Sequence, residues 1–210
     1  MSDEAAQPQD PQGLPVGTKR NVALRNLFLD PNNYRFIDQQ DYVRVPEDKV
    51  MDADIQRRTT AFLLGRNNEE FDDLIASFKK SGWLPVDQIQ VRQIAQGKYL
   101  VVEGNRRVAA LKHLERRFQE GGVDLGGLDP SFFSAVPVVL YENADEAHRL
   151  IVMALGHISG KKRWPLVNQA RLVQSLIKEH KWSEQDVCDA VSMSKKELRS
   201  TLKTLDLCER

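Results

Sequence analysis

The sequence has few cysteines and no long apolar segment. Its 210 residues include two cysteines, Cys188 and Cys208, and neither these nor the four histidines show the spacing of metal ligands. This pattern excludes a disulfide scaffold and a zinc site. No apolar run approaches the ~20 residues that a membrane span requires, and the N-terminus lacks the apolar stretch of a signal peptide. We therefore expect a cytoplasmic protein with reduced thiols and no membrane partner.

The sequence also lacks a net charge, since Lys+Arg and Asp+Glu both number 30. Such a balance argues against a general affinity for nucleic acid. The charges are nevertheless unevenly distributed along the chain. Residues 161–210 contain 11 Lys/Arg and seven Asp/Glu, whereas residues 1–160 contain 19 and 23. A DNA-binding element is therefore expected near the C-terminus.

The N-terminal part reads as a mixture of strands and helices. Residues 1–19, rich in Gln, Pro, Asp and Gly, predict a disordered tail, and the irregular residues 38–67 predict an insertion or lid. The predicted strands are Asn21–Leu29, Asp87–Ile94, Lys98–Glu103 and Val136–Tyr141. The predicted helices are Met51–Leu64, Asn68–Ser81, Asn105–Arg117 and Asn143–Leu155.

Only helices are predicted from Pro165 onward. The first has an inward stripe of Leu166, Ala170, Val173 and Ile177. A three-residue turn joins the second, Ser183–Ala190, to the third, which runs from Ser194 to about Thr204. Ser194 and Glu197 have the spacing of a capping box. Two short helices in this order fit a helix-turn-helix, although any helical hairpin gives the same pattern.

The most informative segment is the junction of a strand and a helix at Glu103–Arg107. Gly104 permits a sharp turn and the helix begins at once, so its N-terminal N–H groups offer an anion site. Arg106 and Arg107 add forked donors that match phosphate oxygens. Glu103 has the chemistry to hold an arginine or to ligate a metal ion. An ordinary strand-to-helix connection with solvated arginines would show the same short pattern.

Several separated blocks resemble the ParB/sulfiredoxin fold in the same order along the chain. The blocks are Val22–Arg35, Leu74–Pro85, the hairpin that ends in Glu103–Arg107, and Val136–Val139. A ParB-like helix-turn-helix follows, so the resemblance covers residues 20–207. It implies an α+β ParB/sulfiredoxin-like domain with a small mixed sheet at residues 20–155, a hinge at 156–164 and an all-α helix-turn-helix domain at 165–210.

The resemblance also implies a site for CTP or another nucleoside triphosphate. Gly104, Arg106 and Arg107 match the family's triphosphate-binding turn, in which Asn105 stands where Glu is usual. The other implied contacts are Arg35, Ser77, Gly82, Glu103, Asn105 and His157. Arg35 belongs to a turn like the family's Asn-Pro-x-Gln-Pro-Arg, and Ser77 and Gly82 match the segment beside the base and ribose.

One family motif is rewritten in this chain. ParB proteins carry Glu-Asn-x-x-Arg before the linker helix, and its Asn helps to hold Mg²⁺, whereas residues 156–160 read Gly-His-Ile-Ser-Gly. The resemblance implies a bound Mg²⁺. However, Mg²⁺ prefers oxygen ligands, and residues 156–160 lack the family's Asn that helps to hold it. At most a slow nucleoside triphosphatase is expected, with Glu103 as its catalytic residue. Asn105 replaces the sulfiredoxin cysteine, which excludes sulfinic-acid reduction.

The last helix contains the candidate DNA-binding residues. A recognition helix places its N-terminal residues at base edges in the major groove. The candidates are Ser194, Lys195, Lys196, Arg199, Ser200 and Lys203. Lysine and arginine bind phosphates more often than bases, so no base is assigned to any of them.

Three hypotheses follow. The first is a ParB-like homodimer that binds double-stranded DNA, with a nucleotide as the switch for DNA binding or self-association. Its setting would be DNA partition, with a bacterial nucleoid or a plasmid or phage as its location, and the family's C-terminal dimerisation domain is expected to lie outside these 210 residues. The second is a ParB-fold nuclease or triphosphatase in defence or plasmid competition, built on Glu103 and the arginines. The third is a transcription regulator that has lost nucleotide binding, which the rewritten residues 156–160 favour.

Overall fold

The computed structural model describes residues 17–64, 69–85, 88–142, 150–151, 153–154, 158 and 164–208. The chain divides into two compact units, one of residues 17–143 and one that includes residues 144–210. This division precedes the domain end expected at residue 155. Most of the helix predicted at 143–155, and most of the expected hinge, lie outside the described residues.

The unit of residues 17–143 is built on a mixed five-stranded sheet. Its strands are β1 (Thr18–Val22), β2 (Leu27–Phe28), β3 (Ile89–Ala95), β4 (Lys98–Glu103) and β5 (Val136–Leu140). Their order in the sheet is β1-β5-β3-β4-β2. The β3–β4 hairpin and the β1–β5 pair are antiparallel, whereas β2–β4 and β3–β5 are parallel. The structure thereby confirms the α+β class and the small mixed sheet, and β1 includes the last two residues of the predicted tail.

The prediction of one strand over Asn21–Leu29 was wrong. β1 and β2 lie at opposite edges of the sheet, and a 3-10 helix at Leu24–Asn26 separates them. Leu24 and Leu27 are both completely buried. Residues three apart share a face in a 3-10 helix but point to opposite faces in a strand, so burying both leucines requires the turn.

The described residues of this unit also form three α-helices. They are α1 (Ala53–Leu64), α2 (Glu69–Ser81) and α3 (Asn105–Gln119), as the apolar spacing predicted. The buried face of α3 consists of Val108, Ala109, Ala110, Leu111 and Leu114. This face packs against α1, α2 and the β3–β4 hairpin, which fixes where α3 begins relative to the sheet.

The described part of the predicted insertion, residues 38–64, contributes to the core. Val45 and Val50 pack with Leu100 of β4, and Leu63 belongs to the main core. This packing ties the segment to the sheet, and its role as a lid stays a prediction.

The second unit contains α4 (Leu166–Lys178), α5 (Glu184–Val191) and α6 (Lys195–Cys208). α6 packs against both α4 and α5. The predicted stripe of α4 was partly wrong, because Leu166 is 57% exposed while Leu172 and Leu176 are completely buried. The buried face of α4 includes Leu172 and Leu176. Leu166, in the first turn of α4, lies on the exposed side of the helix. None of the helices in the described part of the chain has the length and apolarity needed to cross a membrane.

Candidate nucleotide site and DNA interface

β4 ends and α3 begins at Gly104. Its φ is +96°, in the left-handed region, and a Cβ there would lie 3.1 Å from Ile89 Cγ1 and 3.3 Å from Ile89 Cα. Any other residue would be strained and crowded against β3. The first hydrogen bond within α3 runs from the Val108 N–H to the Gly104 carbonyl at 3.0 Å. The N–H groups of residues 105–107 therefore precede the helix's own hydrogen-bond ladder and carry its partial positive charge.

Three arginines meet at this end of α3, and we call Arg35, Arg106 and Arg107 the arginine cluster. Burial, together with repulsion by Arg35 and Arg107, lowers the pKa of Arg106 to about 10, and burial is the largest of these causes. Burial also lowers the pKa of Arg35, against the opposing effect of the Glu103 carboxylate. A pKa of about 10 leaves Arg106 charged at neutral pH. The cluster is therefore a concentrated, partly desolvated positive charge at a helix N-terminus, which is the environment that favours an anion.

The side chain of Asn105 is buried and engaged at both ends of its amide. Oδ1 accepts a hydrogen bond from the Asp30 N–H at 2.8 Å, and Nδ2 donates one to the Val101 carbonyl at 3.0 Å. The sequence grouped Asn105 with the nucleotide contacts. In the structure its amide joins the start of α3 to the turn that carries Arg35.

That turn is built by its own short polar side chains. The Asp30 carboxylate accepts from the Asn32 N–H at 2.9 Å, and the Asn33 side chain accepts from the Arg35 N–H at 3.0 Å. Asp and Asn favour such local bonds to the backbone two residues ahead. The following Phe36 is completely buried. Arg35 therefore projects from a backbone that is fixed on both sides.

Two further amides hold the same turn, and no local sequence pattern predicts either of them. Gln56 of α1 donates to the Leu29 carbonyl and accepts from the Leu29 N–H, both at 2.9 Å. Asn32 makes the same reciprocal pair with the backbone of Val45, both bonds at 2.8 Å. A glutamine on a predicted helix reads as a surface residue. Only its contact 27 positions away reveals its role.

Ser77 and Gly82 lie on and after α2. Ser77 is exposed. Gly82 has a φ of +65°, and a Cβ there would lie 2.7 Å from the Gly127 carbonyl oxygen. Gly82 thus allows the glycine-containing loop at 121–130 to pack against the end of α2. The role of both residues beside a base and ribose stays a prediction.

Glu103 ends β4, and its charge acts on Arg35. This is consistent with the first role considered for it, holding an arginine. Within the described ranges, no three His, Cys, Asp or Glu side chains are grouped so as to hold a metal ion. The described side chains at this turn therefore do not by themselves form an Mg²⁺ site. His157 lies outside the described residues.

α5 and α6 are joined by a three-residue turn, as predicted, and both begin with a capping box. Ser183 and Asp186 form the first box. In the second, the Ser194 N–H donates to Glu197 at 2.9 Å and the Ser194 hydroxyl donates to the same carboxylate at 2.6 Å. The Ser194 side chain therefore starts α6, whatever else it contacts.

The candidate DNA-binding residues of α6 share one exposed face. Those exposed are Lys195, Lys196, Arg199, Ser200 and Lys203, and the opposite face buries Leu198, Thr201 and Leu205. Arg199 lies 3.3 Å from the Glu184 carboxylate and so pairs with α5. We call Lys195, Lys196 and Lys203 the basic face of α6.

These observations define a class of protein: an α+β domain with an arginine cluster at a helix N-terminus, followed in the chain by a unit with three described helices. Residues 33–124 match the family model of the ParB N-terminal domain. Over these residues the chain is therefore ParB-like and resembles a ParB N-terminal domain. The matched range includes Arg35, Ser77, Gly82 and the whole turn at 103–107.

Two similar solved structures are of the C-terminally truncated chromosome-partitioning protein ParB from Caulobacter crescentus. The one complexed to the centromeric parS site is 14% identical, with a TM-score of 0.46, and the match covers 89% of this chain and 71% of that chain. The one complexed with CTP-γ-S is 17% identical, with a TM-score of 0.36, and the match covers 90% and 79%. No curated protein matches the sequence.

Proposed function

We propose that this protein is a ParB-like DNA-binding protein of the partition type, whose first unit binds a nucleoside triphosphate through its phosphates. The observation that carries the proposal is the meeting of Arg35, Arg106 and Arg107 at the N-terminus of α3. CTP is the nucleotide that the family resemblance implies.

The electrostatics of the arginine cluster favour a polyanion. Without a ligand, burial and mutual repulsion act against the charge of Arg106. A triphosphate would offset this, because its oxygens accept charge-assisted hydrogen bonds from guanidinium groups. Backbone N–H groups at the start of α3 add donors that need no side-chain reorganisation. The site is thus suited to several phosphate groups in preference to a neutral ligand.

The basic face of α6 supports double-stranded DNA as the second ligand. Lys195, Lys196 and Lys203 are exposed on one side of a helix that follows a three-residue turn. Such a helix can enter the major groove, with lysines on the flanking phosphates. We propose that nucleotide binding changes DNA binding or self-association of a homodimer, so that the phosphate site acts as a switch.

A titration tests this proposal. CTP, ATP, GTP and UTP would be titrated into the wild type and Arg106→Ala, with and without Mg²⁺ and double-stranded DNA. We expect the wild type to bind CTP and Arg106→Ala to bind it at least about tenfold more weakly. If no nucleotide binds while DNA does, the protein is a regulator without a nucleotide switch. Metal-dependent DNA cleavage that is lost in Glu103→Ala would instead identify a nuclease.

A further inference from the structure

We infer that Asn105 is a positioning residue that couples the turn carrying Arg35 to the N-terminus of α3, so that the arginine cluster is assembled before a ligand binds. This inference rests on the proposed nucleotide site and concerns how that site is built. Asn105 acts through Arg35 and need not touch the ligand itself.

The contacts of Asn105 link three separate parts of the site. The residue is 5% exposed, and the Asp30 whose N–H it accepts is completely buried. Its Nδ2 group donates to Val101 in β4, the strand that leads into Gly104. Removing a hydrogen-bond acceptor from a buried N–H is costly, so this bond favours keeping the Asp30 turn against α3.

The other hydrogen bonds that hold the turn connect it to other segments of the chain. Gln56 ties Leu29 to α1, and Asn32 ties the turn to Val45. These bonds keep the turn folded, and Gln56 reaches α3 only indirectly, through the packing of α1 against α3. Asn105 is itself the first residue of α3, so its bond to Asp30 sets the position of Arg35 relative to Arg106 and Arg107.

The chemistry of this position requires an amide. Asp30 supplies a donor and Val101 an acceptor, so the side chain between them needs one acceptor and one donor. Asparagine offers both at a short reach, whereas an ionised carboxylate offers only acceptors. The Asn that replaces the family's usual Glu therefore has a structural reason in this chain.

A double-mutant cycle separates positioning from a general loss of stability. CTP affinity would be measured for the wild type, Asn105→Ala, Arg35→Ala and the double variant. If Asn105 acts by placing Arg35, Asn105→Ala weakens CTP about tenfold in the wild type and has little effect when Arg35 is already absent. Equal weakening in both backgrounds, or none in the wild type, would overturn the inference. Val136→Ala, a core substitution in β5, controls for lost stability and should leave CTP affinity unchanged.

A second measurement tests the hydrogen bond between the Asp30 N–H and Asn105 without any nucleotide. Amide hydrogen exchange at Asp30 in the ligand-free protein should be faster in Asn105→Ala than in the wild type, and unchanged in Val136→Ala relative to neighbouring amides. Equal protection of the Asp30 amide in Asn105→Ala and the wild type would overturn the inference that Asn105 holds the turn. If the wild type binds no nucleotide, the proposed function fails, while this exchange experiment still decides whether Asn105 holds the turn.

Discussion

The side-chain oxygen of Asn105 accepts a hydrogen bond from the backbone N–H of Asp30, 75 positions earlier in the chain, at 2.8 Å. The bond joins the two segments that supply the arginine cluster. A phosphate site of this kind depends on backbone geometry as well as on charge, because one arginine comes from a turn and two come from a helix.

Gly104→Ala should lower the free energy of unfolding by about 1–3 kcal/mol, because a residue with a Cβ is strained at this φ. The Cβ would also press against Ile89. Gly97→Ala is a matched control, since Gly97 has a φ of +66° with nothing within 4 Å of its Cβ position. Urea denaturation should therefore show a larger loss for Gly104→Ala. Equal losses would mean that the contact with Ile89 has no energetic weight.

Arg106→Met should raise the melting temperature of the ligand-free protein, because it keeps the apolar stem and removes a charge that burial and Arg35 disfavour. The gain should shrink as salt is added, since salt screens the repulsion between guanidinium groups. Arg116→Met, at the exposed end of the same helix, should change little. Thermal denaturation at low and high salt checks this. A lower melting temperature for Arg106→Met would show that Arg106 stabilises the empty site.

Gln56→Leu should destabilise the protein by about 1–3 kcal/mol, because it leaves partly buried backbone groups without partners. The groups affected are the Leu29 N–H and the carbonyls of Leu29 and Val50. Gln96→Leu, on the exposed β3–β4 turn, is the control and should lie close to the wild type. Chemical denaturation would contradict the account if the two variants were equally stable.

Lys196→Ala combined with Lys203→Ala should weaken double-stranded DNA binding and flatten its salt dependence. Each lysine that neutralises a phosphate contributes about 0.9 to the slope of log K against log salt, so the slope should fall by up to about two. Lys178→Ala, at the end of α4, should leave the slope unchanged. Binding would be measured by fluorescence anisotropy over a range of salt concentrations. An unchanged slope in the double variant would place the DNA backbone away from the basic face of α6.

The sequence predicted those features that local rules determine. The capping box of Ser194 and Glu197 and the sharp turn at Gly104 each depend on residues within a few positions. The features that it did not predict depend on distant contacts. Gln56 looks like a surface residue until its partner 27 positions away is known. The break between β1 and β2 arises because both Leu24 and Leu27 must enter one core, which alternation along a strand cannot satisfy.

The candidate site also combines features that local residues determine with a feature that depends on a distant contact. Arg106 and Arg107 follow from the short motif, and their place at a helix start was predictable from Gly104. That Arg35 shares the cluster followed only from the family resemblance, and the structure supplies the physical link through Asn105.

The central claim, that this site recognises phosphates, is tested most directly by shortening the phosphate chain. Calorimetric titrations would compare CTP, CDP, CMP and cytidine on the wild type, Arg106→Ala and Arg116→Ala. The expected result is that affinity falls about tenfold or more with each phosphate removed, that Arg106→Ala flattens this series, and that Arg116→Ala does not. Cytidine bound as tightly as CTP, or a series unaffected by Arg106→Ala, would contradict it.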